Sequence, residues 1–390
     1  MKLTEILEFP PEEMQKRIEH ARSLMLQKGM SGLMVTAAAN HFYFTGFRKL
    51  ANWATFTRSV FVFIPVKKAP VLYVQDFEGP DAKARSSVQD VRTFSTITGA
   101  PVSGIVEILK ELEMDKGMVG CELGFEQRMD MSYSDFKILK NQLPCTSFVD
   151  ASMLIWELRM VKYPSEISCL RRCNDIMSSS FNRIYNEVCE GMTEKEVARK
   201  LVAIMAEEGS ELPGFIIVLS GPGNYERISA RPTNKRLKKG DLVWIDAGAN
   251  YNGYWTDFCR AGVVGGPTSE QNRLQNIISE ITMKGCAAVC PGLPVSDLYS
   301  MCANEFIANG LPFSFECGRA GHGIGLQLTE PPSVARFDDT VLKPGMVITL
   351  EPGYVNEIGC FDVEENILVT ETGGEILSSA KRELYSIPLA

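Results

Sequence analysis

Histidine is nearly absent from this chain, with three residues in 390 at His20, His41 and His322, so each position can be weighed alone. The eleven cysteines form no CxxC pair and are odd in number, so a disulfide framework is not expected; they read as reduced thiols, mostly small core residues. Cys169/Cys173 and Cys286/Cys290 have helical spacing but lack the further partners that zinc requires. No segment reaches eighteen consecutive apolar residues, and the opening MKLTEILEFPPEEMQKRIEH places acids and prolines where a signal peptide needs an apolar core. No membrane span and no export are expected, which makes the protein soluble and cytoplasmic. Net charge is −8, and the densest basic stretch is KRLKKGD at 235–241, too short to track a phosphate backbone, so nucleic acid is not an expected partner.

What is present is a globular composition, 45% hydrophobic and 23% charged, in a chain long enough for two cores. Met14, Ile18, Ala21 and Met25 recur at helical spacing, and the strand-like SGLMVTA, SVFVFIP, APVLYVQ and GMVGCEL follow with a helical stretch near 103–113. Residues 1–155 therefore read as an α/β domain. Within it NHFYFTGFRKLANW (40–53) is too irregular for an element and too apolar for an ordinary loop, and reads as a contact surface. His20 falls on the polar side of the first helix; His41, in the aromatic stretch, is a core residue, an interface residue or a ligand contact.

Residues 156–390 form the second domain. A long helix starts near Pro164, where a missing N–H costs nothing, and Thr193-x-x-Glu196 is a capping box opening another. FIIVLSG (215–221) is a strand, 268–288 and 295–309 are helices, and 311–370 reads as strands and loops. Two helix-then-strand halves around residue 270 hint at pseudo-symmetry.

The second domain also carries the chemistry. In DLVWIDAGANYNGYWTDFCR (241–260) two strand-like runs are joined by a turn at Asn252-Gly253, so Asp246 and Asp257, eleven apart, project from one face of a hairpin. They are either solvent-facing strand-end aspartates or a place to hold a cation. His322 stands in AGHGIGL, where flanking glycines let other backbone approach and leave the imidazole uncrowded. It is a structural histidine or a ligand. Glu351 in MVITLEPGY and Glu364 in FDVEENILVT end or enter apolar strands, where a carboxylate is costly unless paired, exposed or metal-bound. Four carboxylates and one imidazole suit an oxygen-rich site for two divalent ions, whose charge the carboxylates match.

This ordered set, Asp246, Asp257, His322 in GHGIGL, Glu351 in LEPGY and Glu364 before NILVT, resembles the pita-bread metallopeptidases: aminopeptidase P, prolidase and methionine aminopeptidase, with creatinase as a relative. NHFYFTGF resembles the creatinase/prolidase N-terminal domain, and ELRMVKYPSEISCLRRC the helix that opens the catalytic domain. The resemblance implies an α/β N-terminal domain followed by an α+β pita-bread catalytic domain. It further implies two divalent metal ions (Mn, Co, Zn or Fe), with Asp246 chelating one, Asp257 and Glu364 bridging, and His322 and Glu351 binding the other. Glu351 would be the proton shuttle beside the attacking water.

The chain also departs from its relatives. Where prolidases and creatinase carry catalytic histidines, this sequence has Ser229, Gly318 and Thr329. A hydrolase of the Xaa-Pro type acting on a dipeptide or small amide would use Thr329, Ser229, Arg231 or Tyr225 in their place. The alternative is a non-peptidase enzyme on the same scaffold, creatinase-like or resembling dimethylsulfoniopropionate lyase, acting on a small cationic metabolite. A dead binding module is the third class, and the intact ligand set argues against it. An arginine two residues before the last metal-binding glutamate helps the peptidases bind a substrate carboxylate, and here that place holds Asp362. Facing the pocket, Asp362 would repel a carboxylate, favour a cationic group and make free Gly-Pro-type dipeptides poor substrates; turned outward by a bulge, or neutralised by Arg231, it would not. The apolar stretch from His41 to Trp53 and the family's habits also lead to the expectation of a homodimer.

Overall fold

The computed structural model describes residues 7–49, 59–211, 214–312 and 318–390. It divides into two compact units, Met1–Arg159 and Met160–Ala390. The expected boundary after residue 155 would cut a continuous helix, Ser152–Met160, whose Leu154, Ile155, Trp156 and Leu158 are all buried; the chain leaves the first unit only where that helix ends.

The first unit contains α1 (Pro11–Gln27), β1 (Met30–Val35), α2 (Ala38–Thr45), β2 (Phe61–Pro65), β3 (Val71–Gln75), α3 (Gly79–Arg85), β4 (Asp90–Phe94), α4 (Val102–Glu111), β5 (Gly117–Cys121), α5 (Tyr133–Gln142), β6 (Thr146–Asp150) and α6 (Ser152–Met160). Its six strands form one mixed sheet in the order β4-β3-β2-β1-β5-β6, and β1, β5 and β6 run parallel. β2 and β3 are buried at every position, which explains why both read as unbroken apolar runs rather than alternating ones.

The stretch expected to be irregular is partly helical. α2 covers residues 38–45, and His41, Phe42, Tyr43, Phe44 and Phe47 are packed inside the unit. Local signals miss this helix because Ala37 offers no side-chain cap; the buried carboxylate of Glu122 instead accepts from the amides of Thr36 and Ala37 and from the Asn40 side chain. The aromatics of 41–47 are thus satisfied within the chain and supply no contact surface. Residues 50–53 of that stretch, and Cys317, lie outside the described residues.

The second unit opens with α7 (Pro164–Glu187) and α8 (Glu194–Glu208), where the Thr193 hydroxyl accepts from the Glu196 amide and the Glu196 carboxylate from the Thr193 amide. There follow β7 (Ile216–Ser220), β8 (Leu242–Ala247), β9 (Asn250–Tyr251), β10 (Tyr254–Trp255) and β11 (Phe258–Val264). After α9 (Ser269–Ala288) and α10 (Val295–Ala308) come β12 (Arg319–Gly323), β13 (Glu330–Ala335), β14 (Val347–Leu350), β15 (Tyr354–Asn356), β16 (Gly359–Phe361), β17 (Glu365–Val369), β18 (Gly374–Ile376) and β19 (Tyr385–Ile387). Each half therefore supplies two helices and a sheet: β19-β11-β8-β7 from the first with the C-terminal strand added, and β13-β12-β14-β17-β18 from the second. Among the described residues no helix is long and apolar enough to cross a membrane, and no described cysteine is disulfide-bonded.

Candidate metal centre

The two aspartates are placed by one antiparallel pairing. Asp246 on β8 lies opposite Cys259 on β11, and Asp257 stands two residues before Cys259, so both carboxylates leave the same face. The connection between them turns at Asn252 and Gly253, both with positive φ (46° and 78°), as a tight hairpin between β9 and β10 demands. Their carboxyl groups lie within hydrogen-bonding reach of each other.

The second sheet brings the other groups. His322 is on β12, Glu351 directly follows β14, and Glu364 directly precedes β17. The glycines beside His322 are required by close approach: a Cβ at Gly321 would sit 2.2 Å from the Thr349 carbonyl oxygen, and one at Gly323 the same distance from that of Pro331. His322 Nδ1 is 2.9 Å from the Gly323 carbonyl oxygen, which can only accept. Nδ1 therefore carries the proton, and Nε2 turns its lone pair toward Asp257 Oδ2 at 3.5 Å and Glu351 Oε1 at 3.8 Å.

Asp257, His322 and Glu364 each present one ligand atom, all within 4.8 Å of one another, and all three residues are buried. Asp246 and Asp362 are half-buried, yet Oδ1 of each, with Asp257 Oδ1 and Glu364 Oε1, is shut off from solvent without a hydrogen-bond partner among the described residues. Burial pushes all four carboxyls well above the usual carboxylate range, and their mutual repulsion adds to this: Asp257 and Glu351 act on Asp246, Glu351 on Asp257, Asp257 on Glu364, and Glu351 on Asp362. Four buried carboxylate oxygens without partners among the described residues, together with an oriented imidazole in the same cluster, are the donor set of a hard or borderline divalent cation, and the residues present fit such an ion.

Two ties join the sheets beside the cluster. Asn366 bonds the main chain of Asp257, and Arg260, fully buried, donates to the carbonyls of Cys259 and Glu364 and to the carboxylate of Glu365. Neither tie was visible in sequence, because each depends on the approach of β11 to β17. Arg319 carries no comparable signal in the sequence. It sits three residues before His322, and its positive charge draws the Asp257 carboxyl back down.

The remaining positions fare differently. Thr329 is half-buried beyond β12, whereas Ser229 and Arg231 are exposed on the long β7–β8 connection and bond nothing in the cluster among the described residues. Glu351 and Asp246 push the Asp362 carboxyl up and Arg260 draws it back down, so Asp362 belongs to the carboxylate cluster. Tyr225 is buried in the core, where its hydroxyl accepts from the Leu242 amide, and is not poised for chemistry. His20 is exposed, and His41 is a core residue with Nδ1 3.2 Å from the Phe47 carbonyl oxygen.

Residues 168–371 match the profile of metallopeptidase family M24, and residues 17–161 that of the creatinase/prolidase N-terminal domain. A Xaa-Pro dipeptidase of Pyrococcus furiosus is 30% identical over 95% of this chain and 100% of its own length. Among solved structures, a prolidase from Thermococcus sibiricus superposes with a TM-score of 0.84 at 26% identity, covering 96% of this chain and 99% of its own. A Xaa-Pro dipeptidase from Bacillus anthracis gives 0.85 at 28%, covering 96% and 100%. The α/β first unit and the pita-bread second unit are those of these proteins, and the chain belongs to metallopeptidase family M24, with a creatinase/prolidase N-terminal domain preceding the catalytic one.

Proposed function

We propose that the chain is a metal-dependent hydrolase of the Xaa-Pro peptidase type, acting on a dipeptide or small amide. Asp246, Asp257, His322, Glu351 and Glu364 would hold two divalent ions, manganese, cobalt, zinc or iron. The observation that carries the reading is the buried cluster of Asp257, His322 and Glu364, whose ligand atoms lie within 4.8 Å of one another, in a chain whose relatives are Xaa-Pro dipeptidases. When bound, such ions polarise a carbonyl and make water acidic enough to attack near neutral pH.

The protein's own groups do the rest. Glu351, about a quarter exposed at the edge of the cluster, takes a proton from the attacking water as its oxygen bonds to the scissile carbonyl carbon. It returns that proton to the leaving nitrogen as the C–N bond breaks, so one water is consumed and an acid and an amine are released. Thr329, Ser229 and Arg231 are the positions assigned to substrate contact in place of the missing histidines, and Asp362 to a positively charged substrate group. Asp362 is also what favours the second reading, a non-peptidase enzyme for a small cationic metabolite, since it adds a further carboxyl group to the cluster where the peptidases carry an arginine. The protein is proposed to be cytoplasmic and homodimeric; with residues 41–47 buried, the dimer rests on the family resemblance alone, and sedimentation at micromolar concentration tests it.

The test is hydrolysis of a panel of Xaa-Pro dipeptides and small amides by protein loaded with each metal in turn. Metal-dependent cleavage, lost on Glu351→Gln by a factor on the order of 10² or more, is expected. Cleavage that survives chelation, or no cleavage of any dipeptide alongside turnover of a cationic amide, rejects the peptidase reading.

A further inference from the structure

The turn that follows His322 is closed over a buried carboxylate. Residues 324–329 join β12 to β13, and Glu330, 1% exposed, opens β13 opposite Gly323. Its Oε1 accepts from the Gln327 amide at 3.0 Å. Gly325 lies against the same carboxyl group: a Cβ there would sit 2.8 Å from Oε2 and 2.9 Å from Oε1, so only glycine lets the turn wrap this closely. Lys162 Nζ, on a side chain equally enclosed, stands 3.3 Å from Oε2 and has the Met160 carbonyl as its other partner among the described residues. Lys162 is anchored in turn by its amide, which donates to the carbonyl of Gly345, two residues before β14.

This turn meets the cluster on two sides. Gly323, the residue before it, supplies the carbonyl oxygen that accepts from His322 Nδ1. Gly325, within it, accepts at 2.9 Å from the amide of Trp255, two residues before Asp257. We infer that Glu330 is a positioning residue for the metal centre: its carboxylate fixes turn 324–329, and the turn fixes the Gly323 carbonyl that keeps the proton on His322 Nδ1 and leaves Nε2 for an ion. The inference rests on the reading of the cluster as a metal centre, and it concerns how a ligand is held rather than what is cleaved. Taking an ammonium and a carboxylate out of water is expensive, and an apolar pair of the same volume would join these segments comparably well. What an apolar pair would lack is an acceptor for the Gln327 amide inside the turn, and an amide left unpaired there would open it.

The test compares Glu330→Gln, which keeps an oxygen for the Gln327 amide but no charge for Lys162, with Glu330→Ala, which keeps neither. Lys162→Met/Glu330→Ala, which removes the stranded ammonium, is measured alongside. On each full-length protein, denaturation gives stability, calorimetry gives Mn²⁺ affinity, and nitrogen-15 NMR of the metal-free form gives the state of the His322 ring, in a chain with three histidines to resolve. Both single variants are expected to lose stability, and the double variant to regain part of it. Glu330→Ala should also weaken Mn²⁺ binding by about 10–100-fold, with or without Lys162→Met, and spread the His322 proton over both ring nitrogens. Glu330→Gln should keep the proton on Nδ1 and bind Mn²⁺ within about threefold of wild type. A Glu330→Ala protein that loses stability alone, with the affinity and ring spectrum of wild type, overturns the inference, as does a Glu330→Gln protein as impaired in both as Glu330→Ala. If the ring responds as expected but wild type binds no Mn²⁺, the metal reading falls and Glu330 remains a clamp on the histidine. Tight Mn²⁺ binding indifferent to every substitution does the reverse.

Discussion

Asn366 on β17 donates its side-chain amide to the carbonyl oxygen of Asp257 and accepts from the same residue's N–H at 3.5 Å, so one side chain from the second sheet clasps both main-chain polar groups of an aspartate in the first. Thr256 donates to the Asn366 oxygen at 3.4 Å and to Asn174 at 3.2 Å, which extends the buried network behind the cluster. Replacing Asn366 by Leu leaves the Asp257 amide and carbonyl unpaired in the interior, at a cost of about 1–3 kcal/mol. Chemical denaturation should show that loss, and titration of the stripped protein with Mn²⁺ should show weakened binding. Unchanged metal affinity would mean that Asn366 supports the fold but not the position of Asp257.

A second prediction concerns Arg260 and Glu365, which form an ion pair of 2.8 Å with both side chains fully buried. Arg382 also reaches Glu365, at 2.7 Å, and the Ser378 hydroxyl donates to it. Arg260→Met removes one partner of a buried charge and should destabilise by about 3 kcal/mol, the low end for such breaks because Arg382 remains. The double variant Arg260→Met/Glu365→Leu should recover part of the loss. A single variant as stable as wild type would show that Arg382 alone satisfies Glu365.

Metal removal should change how stability depends on pH. In metal-free protein the folded-state pKa values of Asp246, Asp257 and Glu364 are raised, by burial first and by neighbouring carboxylates second. The folded protein then binds more protons than the unfolded chain above the ordinary carboxylate range, so stability is greatest near pH 4 and falls as pH rises toward neutrality. Adding Mn²⁺ at pH 7 should reverse this and raise the melting temperature, with about two ions retained per chain after desalting. Asp257→Ala should lose the metal and flatten the fall. Metal-free protein more stable at pH 7 than at pH 5 would contradict the crowded-carboxylate account.

The first unit has the opposite dependence. Burial, and secondarily Lys49, lowers the pKa of His41 from 6.5 to about 3. The unfolded chain therefore takes up a proton that the folded one refuses as pH falls from 6.5 to about 3, and stability drops across that window by about 1.4 kcal/mol per pH unit from this residue. His41→Gln should remove the slope at the cost of some packing. Thermal melts of the two proteins between pH 4 and 7 compare them directly, and parallel profiles would exclude the histidine as the cause.

Much of this protein is determined by signals that act within a few residues. Pro164 opens α7, the Thr193–Glu196 box opens α8, and Asn252-Gly253 closes the hairpin that carries Asp246 and Asp257, because a missing N–H, a reciprocal cap and two positive φ values are local requirements. The five candidate ligands were legible for the same reason: a carboxylate at the end of an apolar strand, or a histidine between glycines, is out of place without a function. The rest was decided only when distant segments met. α2 is capped by Glu122, 86 residues from Thr36, so nothing near residue 38 announces it, and in sequence its aromatics read as surface. Tyr225 looked available until Leu242 claimed its hydroxyl. Arg319 shares the His322 side of β12 because β12 bulges against β13, and Asn366 grips Asp257 because two sheets lie side by side. Which face a residue takes depends on pairing register, and a single extra residue in a strand reverses it.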